Sequence, residues 1–356
     1  TVLLCSCVSI QPAAPGGRDD GGSGSGAPTS DGARAPSNNG SASNDGKDSN
    51  DGKVSNDAPA SNDRASEVAG LTVHFCIAAG GSSPQAIAAN RNRVNDMLVV
   101  AQRLVPNSFP CTQLNADNGR QQLEEWLPDA QARAKYARSH DNRVEAYWEP
   151  GSDIAIYDLE MPSDGDWPTG GGGWMYGSGW TEAADLFYDE QMPLVRAALK
   201  RAHPGARLGM YCVPPKARVE GFDAGHRKVS NQIARNIAVH VDAIMPVLYG
   251  RTLDSKKQEE NELKRIRHTL DEAEHIRREV ARLDPGHDLQ IIPMLRLAAP
   301  GTNELWDRRD LEVRLDEIRA RGYDEIVIWE SPKWTPRFAT EWLENLEDLA
   351  PLLGAP

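Results

Sequence analysis

The sequence predicts an α/β protein, a (β/α)8 TIM-like barrel preceded by a long disordered N-terminal tether. Two observations carry the barrel. Apolar runs of strand length are continuous and not alternating, as expected of strands buried on both faces in a parallel sheet. Amphipathic helical segments separate them, so that strand then helix repeats about seven or eight times. A third observation carries the tether: residues 11–68 are almost entirely Gly, Ser, Asn, Asp, Ala and Pro. So little apolar surface cannot offset the ~1–2 kcal/mol per residue lost when a backbone is ordered. A doubly wound open sheet is the alternative for the folded part.

Taken in order, the chain begins "TVLLCSC", apolar but too short to span a bilayer. Residues 1–10 are read as the remnant of a secretory signal. Leu4-Cys5-Ser6-Cys7 resembles the bacterial lipobox, in which a small residue precedes the lipidated Cys, and Ser6 makes Cys7 the better match. The resemblance implies a secreted or cell-envelope lipoprotein of a bacterium, touching the membrane only through its anchor; a chance apolar start is the other reading. Residues 11–68 follow as a linker, with Ser-Asn-Asp units repeated but no face to bury. Residues 69–356 form the barrel domain.

Within that domain the strand candidates are "LTVHFCIA" (71–78), "FPCTQL" (109–114), "VEAYW" (144–148), "DIAIYDLE" (153–160), "RLGMYCVP" (207–214), "AIMPVLYG" (243–250), "QIIPMLRL" (290–297) and "EIVIWESP" (325–332). Helical spacing of apolar residues marks the segments between them, including 84–105, 119–139, 181–202, 231–241 and 310–322. The run "ELKRIRHTLDEAEHIRREVARL" alternates acids and bases at helical spacing and reads as a solvated helix face. Several strands close on polar or aromatic residues: Asp158, Glu160, Tyr211, Tyr249, Arg296, Trp329 and Glu330. In a barrel such ends converge on one rim, where the chemistry belongs.

The formal charge of −13 and the lack of a basic stripe exclude a nucleic-acid module. No HExxH or comparable ligand cluster, GxSxG elbow or phosphate loop occurs, so neither a metal nor a cofactor is expected. His74 and His240 lie in apolar surroundings and read as hydrogen-bonded core histidines, while Cys76, Cys111 and Cys212 read as buried, inert thiols. Arg296 could bind an acidic sugar or sit in a salt bridge at the rim.

The sharpest feature is the pair Asp158 and Glu160. Alternate strand residues share a face, so both acids lie on one side. Two close carboxylates cannot both ionise comfortably, and an acid beside an ionised partner is what glycosidic cleavage requires. With both acids on one side of the scissile bond no opposed nucleophile remains, and the N-acetyl oxygen of the substrate could attack instead. A metal site or a helix cap are the other readings of the motif.

At four points the chain resembles the hyaluronidase-type glycoside hydrolase family: "IAIYDLE", "LGMYCVP", "AIMPVLYG" and "EIVIWES", in the order of that family. The chitinase-type family is a more distant match, met at Asp153, Asp158 and Glu160 but with Ile156 where an Asp belongs. The resemblance implies that Glu160 is the acid/base, that Asp158 positions the N-acetyl group, that Tyr211 and Tyr249 hydrogen-bond the sugar, and that Trp329 floors the subsite. It departs from the family where Leu159 replaces an aromatic. The Gly-rich segment "WPTGGGGWMYGSGW" adds Trp174 and Trp180 as rings that could stack on sugar or pack the loop. The expected partner is a polysaccharide or oligosaccharide and the expected state a monomer, with a non-catalytic carbohydrate-binding barrel at the cell surface as the alternative.

Overall fold

The structure, a computed structural model, describes residues 70–77, 84–115, 130–158, 182–214, 216–300, 304–330 and 335–354. The expected lipobox with Cys7 and the tether of residues 11–68 lie outside the described residues. Nine strand segments are present among the described residues: β1 Thr72–Ile77, β2 Ser108–Pro110, β3 Thr112–Asn115, β4 Ile154–Asp158, β5 Arg207–Tyr211, β6 Ala243–Met245, β7 Gln290–Ile291, β8 Met294–Leu295 and β9 Glu325–Glu330. The helices among them are α1 Pro84–Leu104, α2 Ala130–Tyr147, α3 Glu182–Ala202, α4 Ala224–Asn236, α5 Lys256–Leu283, α6 Arg308–Ala320 and α7 Pro336–Leu349. No helix among the described residues is long and apolar enough to cross a membrane.

All strand pairings are parallel, and followed in space they return to their start. β1 pairs with β2 and β9; β3 with β4, β4 with β5, β5 with β6, β6 with β7, and β8 with β9. Only Cys111 separates β2 from β3, and only Ile292 and Pro293 separate β7 from β8. Each of these pairs is therefore one strand position bent at its middle. The bends remain in the ladder, since Cys111 N donates to Phe75 O at 3.0 Å and Ile292 N to Ile244 O at 3.0 Å. Pro293 has no N–H to give, which suits it to the bend. The TIM-type barrel expected from the sequence is the fold found, with seven strand positions among the described residues.

Period-two alternation along these strands divides the apolar residues into two cores. Val73, Phe75, Leu208, Met210, Ile326 and Ile328 face outward into a jacket completed by the helices. Cys76, Cys111, Ile156, Met245, Met294 and Val327 belong to a smaller second cluster inside the barrel. Amphipathic helices cover the outside. α5 lays Ile266, Leu270, Ala273, Ile276 and Val280 on the jacket and leaves Lys264, Arg267, Asp271, Arg277 and Arg278 exposed as expected, but its Glu262 and Glu272 are buried. Side-chain caps begin several helices: Asp223 accepts from His226 N, Ser255 from Gln258 N, Asp307 from Asp310 N and Thr335 from Phe338 N.

One expected strand is corrected. Residues 144–148 belong to the last turn of α2 and the residue after it, with Trp148 N donating to Val144 O at 3.1 Å. The β-branched and aromatic residues favour a strand locally, but His140, Val144 and Trp148 recur at i, i+4. His140 and Val144 are buried and Trp148 is partly buried, so the helical stripe prevails.

The N-terminal mouth of the barrel is filled by charge. His74 is fully buried; its Nε2 lies 2.9 Å from Glu325 Oε2 and its Nδ1 3.2 Å from Asp153 Oδ1. Arg207 completes the group, 2.7 Å from Asp153 Oδ2 and 2.9 Å from Glu325 Oε2, and donates to Gln290 Oε1 at 2.8 Å. His74 is thus a hydrogen-bonded core histidine, as the sequence suggested.

Candidate active site

At the opposite, C-terminal end of the strands the chain gathers aromatic side chains. Tyr211 is the last residue of β5 and Trp329 the fifth of the six residues of β9, while Tyr249 follows β6. Trp329 is 4% exposed and central. Tyr249 stacks on it at 5.7 Å between ring centroids and 15° between planes; Tyr211 tilts against it at 6.0 Å and 42°. Three residues far apart in sequence thereby make one aromatic wall. The indole Nε1 of Trp329 is buried and has no hydrogen-bond partner among the described residues, an unusual state for a buried donor.

Arg296, just after β8, caps this wall. Its guanidinium carbon lies 5.3 Å from the Trp329 ring centroid and 5.8 Å from that of Tyr249, within reach of a cation–π contact. It also pairs with Glu330 at 3.3 Å. Glu330 is fully buried and accepts from Leu297 N at 2.6 Å and Ala298 N at 3.1 Å. Burial raises its carboxyl above the usual range, against the opposing pull of Arg296 and the two amides. The salt bridge at the rim, one of the two roles the sequence leaves open to Arg296, is present.

β4 delivers the acidic motif toward the same end. Ile154 and Ile156 are buried in the inner core, and the strand ends at Asp158, whose backbone is in register with Asn115 of β3. Of Asp158 only the backbone is described. Glu160, Trp174 and Trp180 lie outside the described residues. Beyond Tyr211, Cys212 holds a φ of 60°; a non-glycine residue in the left-handed region costs roughly 1 kcal/mol. The chain turns sharply there, at the edge of the aromatic wall.

Among the described residues no group of three or more His, Cys, Asp or Glu side chains is placed to hold a metal ion. Cys76, Cys111 and Cys212 are buried free thiols, as expected. Sequence reasoning missed the polar support behind Tyr249. Lys216 Nζ donates to the carbonyl of Tyr249 and to Glu262 Oε1, Trp306 Nε1 to the carbonyl of Gly250, and Arg314 to that of Arg251. The one available signal was Gly250 immediately after the strand-end tyrosine. A Cβ there would fall 2.2 Å from an Arg314 nitrogen and 2.4 Å from Glu262 Oε1, so only glycine fits the observed packing.

No family model matches the sequence, and no curated protein matches it. Solved structures do. Bee venom hyaluronidase in complex with a hyaluronic acid tetramer is 14% identical over 79% of this chain and 98% of that one, with a TM-score of 0.55. A second bee venom hyaluronidase structure is 16% identical over 62% of this chain and 78% of that one, at a TM-score of 0.47. The catalytic domain of a Pyrococcus furiosus chitinase is 11% identical over 78% and 96%, at 0.40. At such identity the first of these establishes a shared TIM-barrel fold.

Proposed function

We propose that this protein is a glycoside hydrolase that cleaves a polysaccharide next to an N-acetylated sugar, hyaluronan or a related polymer, by a substrate-assisted retaining mechanism. The observation that carries the reading is the aromatic wall of Tyr211, Tyr249 and Trp329 at the barrel end where β4 reaches Asp158. Aromatic faces pack on the apolar faces of pyranose rings, and the active sites of TIM barrels lie at this end. The shared fold with a hyaluronidase solved in complex with a hyaluronic acid tetramer supports a polymer of that kind.

In this mechanism Glu160 donates its proton to the glycosidic oxygen as the bond to the anomeric carbon breaks. The N-acetyl carbonyl oxygen of the substrate bonds to that carbon, and Asp158 orients the amide and stabilises its developing positive charge. Glu160, now ionised, takes a proton from the water that opens the cyclic intermediate. Tyr211 and Tyr249 hydrogen-bond the sugar, Trp329 floors the subsite and offers its unpaired indole N–H, and Trp174 and Trp180 extend the surface along the polymer. Cleavage is internal to the chain. The domain is a monomer, held from the cell envelope of a bacterium by the lipidated Cys7 and the residue 11–68 tether.

Hyaluronan, chondroitin and chitin oligomers test the activity. Wild type should cleave at least one of them with retention, and Glu160→Gln should lose about 10³-fold or more in rate while still binding. Absence of cleavage across the panel, or a Glu160→Gln protein at full rate, refutes the mechanism. Binding without turnover by wild type supports a non-catalytic carbohydrate-binding barrel. Cys7→Ala should abolish fatty-acid incorporation in vivo; unchanged incorporation rejects the anchor.

A further inference from the structure

Three consecutive carbonyls after β6, those of Tyr249, Gly250 and Arg251, are each held by a side chain from elsewhere in the chain. Lys216, from the segment after β5, takes the first; Trp306, just before α6, takes the second at 3.1 Å; Arg314 of α6 takes the third at 3.2 Å. Glu262 of α5 joins them. Its Oε1 lies 2.5 Å from Lys216 Nζ and 3.0 Å from Arg314. Arg314 lies 3.8 Å above the Trp306 ring and donates to Asp310 O at 2.5 Å. The side chains of Glu262 and Arg314 are 4% and 0% exposed, and that of Lys216 is 19% exposed. A backbone segment fixed by three donors, two of them cationic, can hold the ring of Tyr249 in one orientation against Trp329.

We infer that Lys216, Glu262 and Arg314 form a clamp that positions Tyr249 in the aromatic wall, and that they set sugar binding through it, a role resting on the glycosidase reading above. They are positioning residues: Lys216 meets Tyr249 at its backbone carbonyl, and none of the three is among the ring contacts given above for the wall. The clamp holds more positive than negative charge. Glu262 and Arg265 of α5 and Arg314 of α6 act on Lys216, Asp310 of α6 acts on Arg314, and Arg265 stands only 3.8 Å from Glu262 Oε2. Burial pushes the Lys216 ammonium down to about 8, helped by Arg314 and Arg265 and opposed by Glu262. A charged donor to the Tyr249 carbonyl is therefore present at neutral pH and is lost as pH rises through about 8.

Hydrogen exchange over residues 247–253 reads the clamp without any substrate. In this segment Val247 N donates to Pro214 O, Leu248 N to Met294 O and Leu253 N to Asp310 Oδ1. Lys216→Met should speed exchange there by about tenfold while β1 and β9 keep their protection, and Lys216→Arg should restore part of it. In wild type, exchange corrected for its intrinsic pH dependence should rise in the same segment through about pH 8. If wild type cleaves hyaluronan, KM should rise in parallel with kcat nearly unchanged, and the alkaline rise in KM should move upward in Lys216→Arg. Unchanged exchange at 247–253, or loosening spread evenly over the barrel, overturns the clamp. Should Lys216→Met fail to fold, the wild-type pH series decides alone, and its flatness overturns the inference. Failure of the sugar reading shows separately, as an absence of oligomer cleavage and binding beside an intact exchange result.

Discussion

Replacing Glu325 by Gln should change the acid stability of the barrel in a defined direction. Burial pushes the Glu325 carboxyl up, but His74 and Arg207 push harder the other way and hold it at about 2 instead of 4.5. A lowering of that size is worth about 3 kcal/mol at neutral pH for a side chain 23% exposed. Asp153 is likewise lowered to about 2, and His74 is raised despite its burial by the same two carboxylates. These shifts describe shared contacts and are not additive. The signs follow from linkage. The carboxylate contributions are complete above about pH 4.5 and are lost as pH falls toward 2; that of His74 is complete below about 6.5 and is lost as pH rises through its raised value. His140, lowered to about 4 chiefly by burial, acts oppositely, favouring the folded state above 6.5 and less so as pH falls. The informative quantity is therefore the difference between wild type and variant, taken from urea midpoints from about pH 3 to about pH 8. Glu325→Gln should be less stable by about 3 kcal/mol near pH 6, with the gap shrinking as wild type is acidified. A gap that stays constant from pH 6 to pH 3, or no gap at all, refutes the network as described.

Other predictions concern packing and binding. Trp342 is fully buried and meets Phe75 edge-on at 6.1 Å, so Trp342→Ala should cost about 3–5 kcal/mol in urea unfolding. Trp342→Phe should cost much less, because the indole N–H has no partner to lose among the described residues. Gly250→Ala drives a methyl into Arg314 and Glu262 and should lower stability by about 1–3 kcal/mol in the same assay. Thr335→Ala removes the cap accepted from Phe338 N at 3.1 Å, an expected loss of about 1 kcal/mol. Trp329→Ala should weaken hyaluronan oligomer binding by about 1–3 kcal/mol in calorimetry through loss of the central ring, with Trp329→Phe intermediate.

The barrel was legible because its strands carry continuous apolar runs whose two faces are both buried. Seven of the eight strand candidates coincide with strand positions, and the eighth failed where His140, Val144 and Trp148 imposed a helical period on a strand-like composition. The aromatic wall was legible from position alone: Tyr211, Tyr249 and Trp329 stand at strand ends, which a barrel brings together. The mouth network and the clamp were not. His74 meets Glu325 across a sequence separation of 251 residues, and Arg314 meets Glu262 across 52. No local period links such partners; only closure of the sheet and docking of α5 and α6 bring them into contact. Glu262 looked like one more solvated acid on a charged helix, and its burial depends on what packs over it.

Because the barrel wall separates two cores, the inner one can be followed on its own. Cys76, Cys111 and Cys212 all belong to that inner cluster, at 1–4% exposure, whereas the only other cysteines in the chain are Cys5 and Cys7. In a Cys5→Ser, Cys7→Ser protein every thiol becomes a reporter of the strand ring. The rate at which a chromogenic reagent consumes those three thiols under native conditions would then time the breathing of the ring, while tryptophan signals from the jacket follow the helices.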